Sequence, residues 1–115
     1  MALWKAKFRY ARISARKVRL IIDMIRGRQV QEALNILKFT PNRAAGMISK
    51  TLTSAIANAS EAEADVESLI VSEARVDEGP VMKRFIEKDR GRAHPILKRT
   101  SHIVVVVDDQ NEQKE

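Results

Sequence analysis

Residues 79–98 form a stretch that neither a helix nor a small core accounts for. The stretch reads Gly-Pro-Val-Met-Lys-Arg-Phe-Ile-Glu-Lys-Asp-Arg-Gly-Arg-Ala-His-Pro-Ile-Leu-Lys and has no helical periodicity. Compact domains seldom keep so long a featureless connection unless it is functional or unstructured. Its flanks are strand-like: residues 66–78, centred on Leu69, Ile70 and Val71, and the unbroken β-branched run from Ile103 to Val107, of the kind found in strands buried wholly or in part. Antiparallel pairing of those flanks makes the stretch an extended hairpin. Asp89-Arg90-Gly91 is then its tip, with Gly91 supplying positive φ. About ten residues per arm at about 3.3 Å each would reach roughly 30 Å beyond the sheet. Pro95 cannot donate to a ladder, so irregular pairing is expected on its side. A lone two-stranded arm is marginal in water, so the arm is expected to be mobile when free and ordered by its partner.

The rest of the chain reads as one domain; 115 residues is a common domain length. Trp4, Ala6, Phe8 and Tyr10 alternate with Lys5, Lys7 and Arg9, the period of a strand with one apolar and one cationic face. Ser14 is the expected N-cap of a first helix, its hydroxyl accepting from a free backbone N–H. Val18, Ile21, Ile22 and Ile25 form that helix's buried stripe, and Gly27 is its left-handed stop. A second helix carries Val30, Ala33, Leu34 and Leu37 on one face. Thr40 as N-cap and Pro41 in the first turn announce a third, whose apolar stripe is Ala45, Ile48, Leu52, Ala55, Ile56 and Ala59. Glu61, Glu63, Asp65 and Glu67 make a solvent-facing acidic linker. The tail from Asp108 is polar and expected to fray.

The net charge of +6 conceals strong segregation. Residues 1–28 hold nine basic and one acidic side chain, and residues 79–102 hold seven and two. Residues 61–78 hold one and seven. If folding brings the two basic blocks together they form one positive face, and the acidic block must point elsewhere. Arg12, Arg16, Lys17 and Arg19 cluster around the start of the first helix, where cations oppose the macrodipole. That placement makes sense if an external anion binds nearby. A small basic domain points to a polyanion, either nucleic acid or an anionic membrane surface. Basic side chains interleaved with Phe85, His94 and small residues suit RNA read by shape and backbone.

Other chemistries find little support. There is no cysteine, which excludes disulfide scaffolds and thiolate chemistry. The longest apolar run is five residues, far short of a membrane span of about 20. His94 and His102 are the only histidines, and their spacing does not suit a metal site. Ser101, His102 and Asp108 supply the residue types of a hydrolase triad, but neighbours on a strand point to opposite faces. No Gly-rich phosphate loop occurs. No enzyme, cofactor or metal is expected.

Three stretches carry a family resemblance. Residues 73–85 read Glu-Ala-Arg-Val-Asp-Glu-Gly-Pro-Val-Met-Lys-Arg-Phe, residues 90–93 Arg-Gly-Arg-Ala, and residues 96–103 Ile-Leu-Lys-Arg-Thr-Ser-His-Ile. With Tyr-Ala-Arg-Ile-Ser-Ala-Arg-Lys-Val-Arg at 10–19 and Asn-Ala at 58–59, the chain closely resembles the bacterial-type large ribosomal subunit protein twenty-two family over residues 4–107. The resemblance implies an α+β fold: three helices packed on a three-stranded antiparallel sheet, with a long protruding β-hairpin. It implies a structural constituent of the large ribosomal subunit that binds 23S rRNA and assists assembly, its hairpin lining the polypeptide exit tunnel. The implied partners are 23S rRNA, neighbouring large-subunit proteins and the nascent polypeptide, with no membrane and no homo-oligomer. A cytoplasmic, bacterial setting is expected because no import leader precedes the first strand.

The implied rRNA contacts fall on Arg12, Ser14, Arg16, Lys17 and Arg19, with Lys7 and Arg9 on the first strand. In the arm they fall on Lys83, Arg84, Arg90, Gly91 and Arg92, and at its base on Lys98, Arg99, Thr100, Ser101 and His102. The implied tunnel-lining tip is Lys88, Asp89, Arg90, Gly91, Arg92 and Ala93. Ile86-Glu87-Lys88-Asp89 and Pro95 depart from the family's Pro-rich and basic pattern. The alternative reading is a DNA-architectural protein with basic β-arms, which expects a homodimer and affinity for duplex DNA. On the RNA reading, Lys83→Ala with Arg84→Ala weakens rRNA binding and flattens its log–log salt dependence by about 0.7–0.9 for each phosphate no longer neutralised. Titration at several salt concentrations checks this, and an unchanged slope removes both residues from the phosphate-binding set.

Overall fold

The run Ile103–Val107 is buried on both of its faces, and the sheet is built around it. The computed structural model describes residues 3–88 and 92–109, the arm strands at the level of their pairing. In chain order the elements are β1 (Leu3–Ala11), α1 (Ala15–Ile22), α2 (Val30–Lys38), α3 (Arg43–Glu61), β2 (Leu69–Glu78), β3 (Met82–Lys88), β4 (Arg92–Lys98) and β5 (Ser101–Asp109). A 3₁₀ turn, Val66–Ser68, precedes β2. β5 lies between β1 and β2 and pairs antiparallel with both. The fold is α+β, three helices on one face of a three-stranded antiparallel sheet.

Alternation sorts the side chains of β5. Ile103, Val105 and Val107 join the helix-side core with Leu69, Val71, Ala74 and Val76 of β2. Val104 and Val106 face away from the helices yet are 0% and 7% exposed. Lys7 and Arg75 stand opposite Val104, and Lys5 and Glu73 opposite Val106, so long charged side chains shelter the valines with their aliphatic stems. The helices bring Val18, Ile21 and Ile22 from α1, Val30, Ala33 and Leu37 from α2, and Ala45, Ile48, Leu52, Ala55 and Ala59 from α3.

Several local details depart from the sequence reading. Tyr10 does not share the buried face of Trp4, Ala6 and Phe8. The register of β1 shifts between Phe8 and Ala11, Tyr10 takes φ 56°, and the bulge turns its ring outward while burying Ala11. Ser14 occupies the N-cap of α1, but its hydroxyl makes no capping bond. α1 ends at Ile22, so Ile25 is buried from the turn beyond it; Gly27 takes φ +81° as expected. The cap of α3 is Asn42, whose Oδ1 accepts from the Ala44 N–H at 2.8 Å, not Thr40. The Thr40 hydroxyl donates to the Ile36 carbonyl of α2 at 2.7 Å. Gln29 caps α2 by accepting from the Gln31 and Glu32 N–H groups. The strand expected over 66–78 starts at Leu69, because Asp65 caps the 3₁₀ turn by accepting from the Glu67 N–H. Asp108 and Asp109 belong to β5 rather than to a frayed tail; residues 110–115 lie outside the described residues.

β2 and β5 run on towards the arm as one ribbon with a fault in it. Glu78 pairs with Ser101, and Met82 with Lys98. Gly79, Pro80 and Val81 intervene on one side, against Arg99 and Thr100 on the other. One surplus residue and a proline without an N–H break the ladder, so β3 and β4 form a separate two-stranded sheet. Its register is unbroken from Met82↔Lys98 to Lys88↔Arg92 and passes Phe85↔Pro95 without a shift. The irregularity expected at Pro95 is therefore absent; a two-stranded ribbon has open edges on both sides, where a missing N–H costs no ladder bond. Each arm strand has seven residues rather than about ten, and the expected tip Asp89-Arg90-Gly91 lies outside the described residues. The molecule measures 69 × 25 × 19 Å with a radius of gyration of 17.4 Å. A compact domain of this length would have roughly 13 Å.

The core makes a direct prediction. Leu52 is fully buried in the α3 stripe, so Leu52→Ala lowers unfolding free energy by about 2–5 kcal/mol. Urea denaturation checks this, and a loss below about 1 kcal/mol contradicts the packing described.

Candidate nucleic-acid interface

Antiparallel register sorts the charge along the strands. At one end of the sheet Ala11 and Glu78 both stand opposite Ser101; at the other, Leu3 and Leu69 stand opposite Asp108 and Asp109. α1 and the arm leave from the first end. The exposed acids Glu61, Glu63, Asp65 and Glu67 gather at the second. The ten residues of β2 separate the two ends by about 30 Å at 3.3 Å per residue. These four acids thus point away from the basic end, and at roughly four Debye lengths in physiological salt they barely weaken the field there; Asp77 and Glu78, from the same acidic block, lie instead at the basic end, paired with His102 and Ser101.

At the basic end the blocks meet. A cleft of about 550 Å³ is lined by Arg12, Ile13, Ser14, Lys17, Arg43, Lys98 and Arg99. Its cations come from the start of α1, the first residue of α3 and the root of the arm, and all five are exposed. Among the described residues no acid lines it. α1 and α3 both lack acidic side chains in their first turns, so two positive helix ends reinforce the cations. Such a cleft suits phosphate oxygens, which Arg can bind in bidentate fashion. A second cleft of about 580 Å³ adjoins it, sharing Ser14, Lys17 and Arg99 and adding Ala15, Arg16, Leu20, Glu78, Gly79, Val81 and Thr100. A third, of about 290 Å³, brings Lys7 and Arg9 of β1 beside Lys50 of α3.

The remaining sequence-named residues fall into two groups. Arg19 is tied to the fold, one guanidinium N–H donating to the Val76 carbonyl at 3.0 Å. Arg26 likewise donates to the Ala74 carbonyl; together they cover the outer edge of β2. Thr100, Ser101 and His102 also make internal bonds. The Thr100 hydroxyl donates to the Pro80 carbonyl at 2.6 Å, and the Ser101 hydroxyl to the Ile13 carbonyl at 2.6 Å. His102 Nδ1 accepts from the Tyr10 N–H at 3.0 Å, and the two rings meet edge-on at 4.9 Å. Ser101 and His102 therefore serve opposite sides of β5, with no shared reacting site. Lys83, Arg84, Lys88, Arg92 and Ala93 lie on the paired arm strands, whereas Asp89, Arg90 and Gly91 lie outside the described residues. Sequence reading missed Arg43 and Lys50, single cations within α3. A cation at the first position of a helix, opposing its dipole, was the signal that could have found Arg43.

These features define a class: a small α+β domain with a projecting β-arm and a cationic end suited to a polyanion. The profile of the ribosomal protein L22p/L17e family matches residues 6–108. Curated relatives named large ribosomal subunit protein uL22 include one from Magnetococcus marinus, 56% identical over 104 residues, covering 90% of this chain and 92% of the relative. Another, from Syntrophotalea carbinolica, is 51% identical over 107 residues, covering 92% and 97%. A third, from Desulfosudis oleivorans, is 51% identical over 102 residues, covering 89% and 90%. The chain belongs to the ribosomal protein L22p/L17e family. It is a structural ribosomal protein of the large subunit and not an enzyme.

The root of the arm depends on a close approach. The Gly79 N–H donates to the Thr100 carbonyl at 2.9 Å. A Cβ on Gly79 would stand 2.5 Å from Thr100 Oγ1 and 3.3 Å from both the Thr100 carbonyl carbon and His102 Nε2. Thr100 Oγ1 is held by its bond to Pro80 and cannot simply swing away. Gly79→Ala is expected to lower stability by about 1–3 kcal/mol through overpacking. Adding Thr100→Ala recovers part of the loss. A double-mutant cycle checks it, and strict additivity would show that the two residues do not clash.

Proposed function

We propose that the chain is held in the large ribosomal subunit by binding 23S rRNA through its cationic end and its arm, and that it assists subunit assembly. The carrying observation is the meeting of chain-distant cations, Arg12 and Lys17 with Arg43, Lys98 and Arg99, in one cleft that no described acid lines. On this reading Lys7, Arg9 and Arg16 extend the phosphate contacts over the neighbouring surface. Lys83, Arg84, Arg90, Gly91 and Arg92 continue them along the arm. Arg19, Thr100, Ser101 and His102 act mainly by holding the cationic end and the arm root in shape, while Ser14 lines both clefts there. The hairpin lines the polypeptide exit tunnel, with Lys88, Asp89, Arg90, Gly91, Arg92 and Ala93 at the tip beside the nascent polypeptide. Neighbouring large-subunit proteins are further partners. The protein acts as a single copy per subunit in the cytoplasm, as a bacterial ribosomal protein.

Recognition on this account is by shape and backbone, because the cleft supplies charge and forked donors for phosphate oxygens. The test is sedimentation of the protein with large-subunit particles before and after high-salt stripping, joined to competition between 23S rRNA and duplex DNA. The protein is expected to travel with the large subunit, to leave at high salt, and to prefer rRNA as a monomer. A homodimer with equal or greater affinity for duplex DNA contradicts the proposal and favours the DNA-architectural reading.

A further inference from the structure

Leu20 stands apart on α1. Val18, Ile21 and Ile22 are buried in the core, whereas Leu20 is 71% exposed. A single exposed leucine needs no explanation, but this one shares a concave site with a second exposed apolar side chain, Val81 at the arm root, and with buried Ala15. The cleft holding them, about 580 Å³, lies in the size range of small-ligand pockets, roughly 300–1,000 Å³. Arg16, Lys17 and Arg99 supply its positive charge, and Glu78 is the one acid among its described lining residues. Apolar lining and a carboxylate do not suit a bare phosphate. Next to it, across the shared residues Ser14, Lys17 and Arg99, lies the purely cationic cleft that does.

Two such clefts side by side fit an occupant that carries a flat, mainly apolar group on a chain of phosphates. We infer that the Leu20–Val81 cleft takes one unstacked RNA base, while the adjoining cleft holds the phosphates on either side of it. This rests on the rRNA reading above and names what the site selects within the RNA. The base packs against Leu20, Ala15 and Val81, and the Arg16 and Arg99 guanidinium planes can stack on it. The Glu78 carboxylate accepts but does not donate, so it favours a base edge that offers N–H donors, guanine above all, whose ring N–H and amino group can meet both carboxylate oxygens. It also repels phosphate, directing the backbone towards Lys17 and Arg99. An acidic peptide with apolar side chains meets the same cations, but brings its carboxylates beside Glu78, which repels them.

The test uses the full chain and transcribed 23S rRNA. Leu20→Ala keeps a strong helix former at an exposed site and is expected to leave the melting temperature unchanged. It should weaken rRNA binding about tenfold, from the apolar contact with the base that the shortened side chain loses. The salt slope should not change, because every phosphate contact remains. Val81→Ala, outside any helix, is measured in parallel and is expected to act in the same direction. In base-specific chemical probing, one base protected by the wild type should become reactive with Leu20→Ala. Wild-type affinity in both variants, with rRNA binding by the parent intact, overturns the base pocket and leaves the rRNA reading standing. A changed salt slope also overturns it. So does loss of a neighbouring protein from reconstituted subunits at unchanged rRNA affinity, which would give the cleft to a protein. Failure of the unsubstituted chain to prefer 23S rRNA is a different result and counts against the rRNA reading itself.

Discussion

The structure depends on the antiparallel pairing of β2 with β5. That ribbon carries the apolar centre of the sheet, Val71, Ala74 and Val76 on one strand and Ile103, Val105 and Val107 on the other. It also leads directly into the arm. Because β5 is paired on both sides and covered on both faces, its backbone polar groups are satisfied within the sheet. The core can then be aliphatic almost throughout, as an aromatic content of 4% requires. Where the ribbon acquires one surplus residue at Gly79-Pro80-Val81, sheet gives way to arm. The bonds from Gly79 to Thr100 and from Thr100 to Pro80 hold the junction closed.

The same register produces the electrical asymmetry. A strand reversed between its neighbours brings the exit of β1, the start of α1 and the root of the arm to one end, and the acidic turn after α3 to the other. Helix packing then adds Arg43, which lies far along the chain from both basic blocks and reaches the cleft only because α3 starts beside the start of α1. Charges that would merely solvate a surface one at a time reinforce one another when they share a concavity. Arg19 and Arg26 show the contrast, because their guanidinium groups are engaged by β2 carbonyls.

Much of this was legible in the sequence, for particular physical reasons. Period two in residues 4–8 exposed the first strand, and the stripes of Val18, Ala33 and Ile48 exposed the helices, since burial on one face leaves a periodic trace. The arm was legible as a length without period between β-branched runs. Tyr10 escapes the alternation because a bulge reverses parity without a sequence signature of its own. Thr40 before Pro41 has the pattern of a helix cap, but the carbonyl left free at the end of α2 claims its hydroxyl. Ser14 holds the cap position without the bond. The clefts were not legible: Arg43 joins the basic blocks, and Leu20 of one block meets Val81 of the other, only through tertiary packing.

Position in the fold, not net charge, makes the binding surface. The decisive measurement compares two triple variants of equal charge change in the salt dependence of 23S rRNA binding. One removes cleft cations, Arg12→Ala, Arg43→Ala and Arg99→Ala; the other removes exposed cations elsewhere, Arg28→Ala, Lys38→Ala and Arg75→Ala. The cleft variant is predicted to lose about 2–3 units of log–log slope, at about 0.7–0.9 per phosphate, and the other to stay near the wild type. Equal slopes for the two variants would contradict the account.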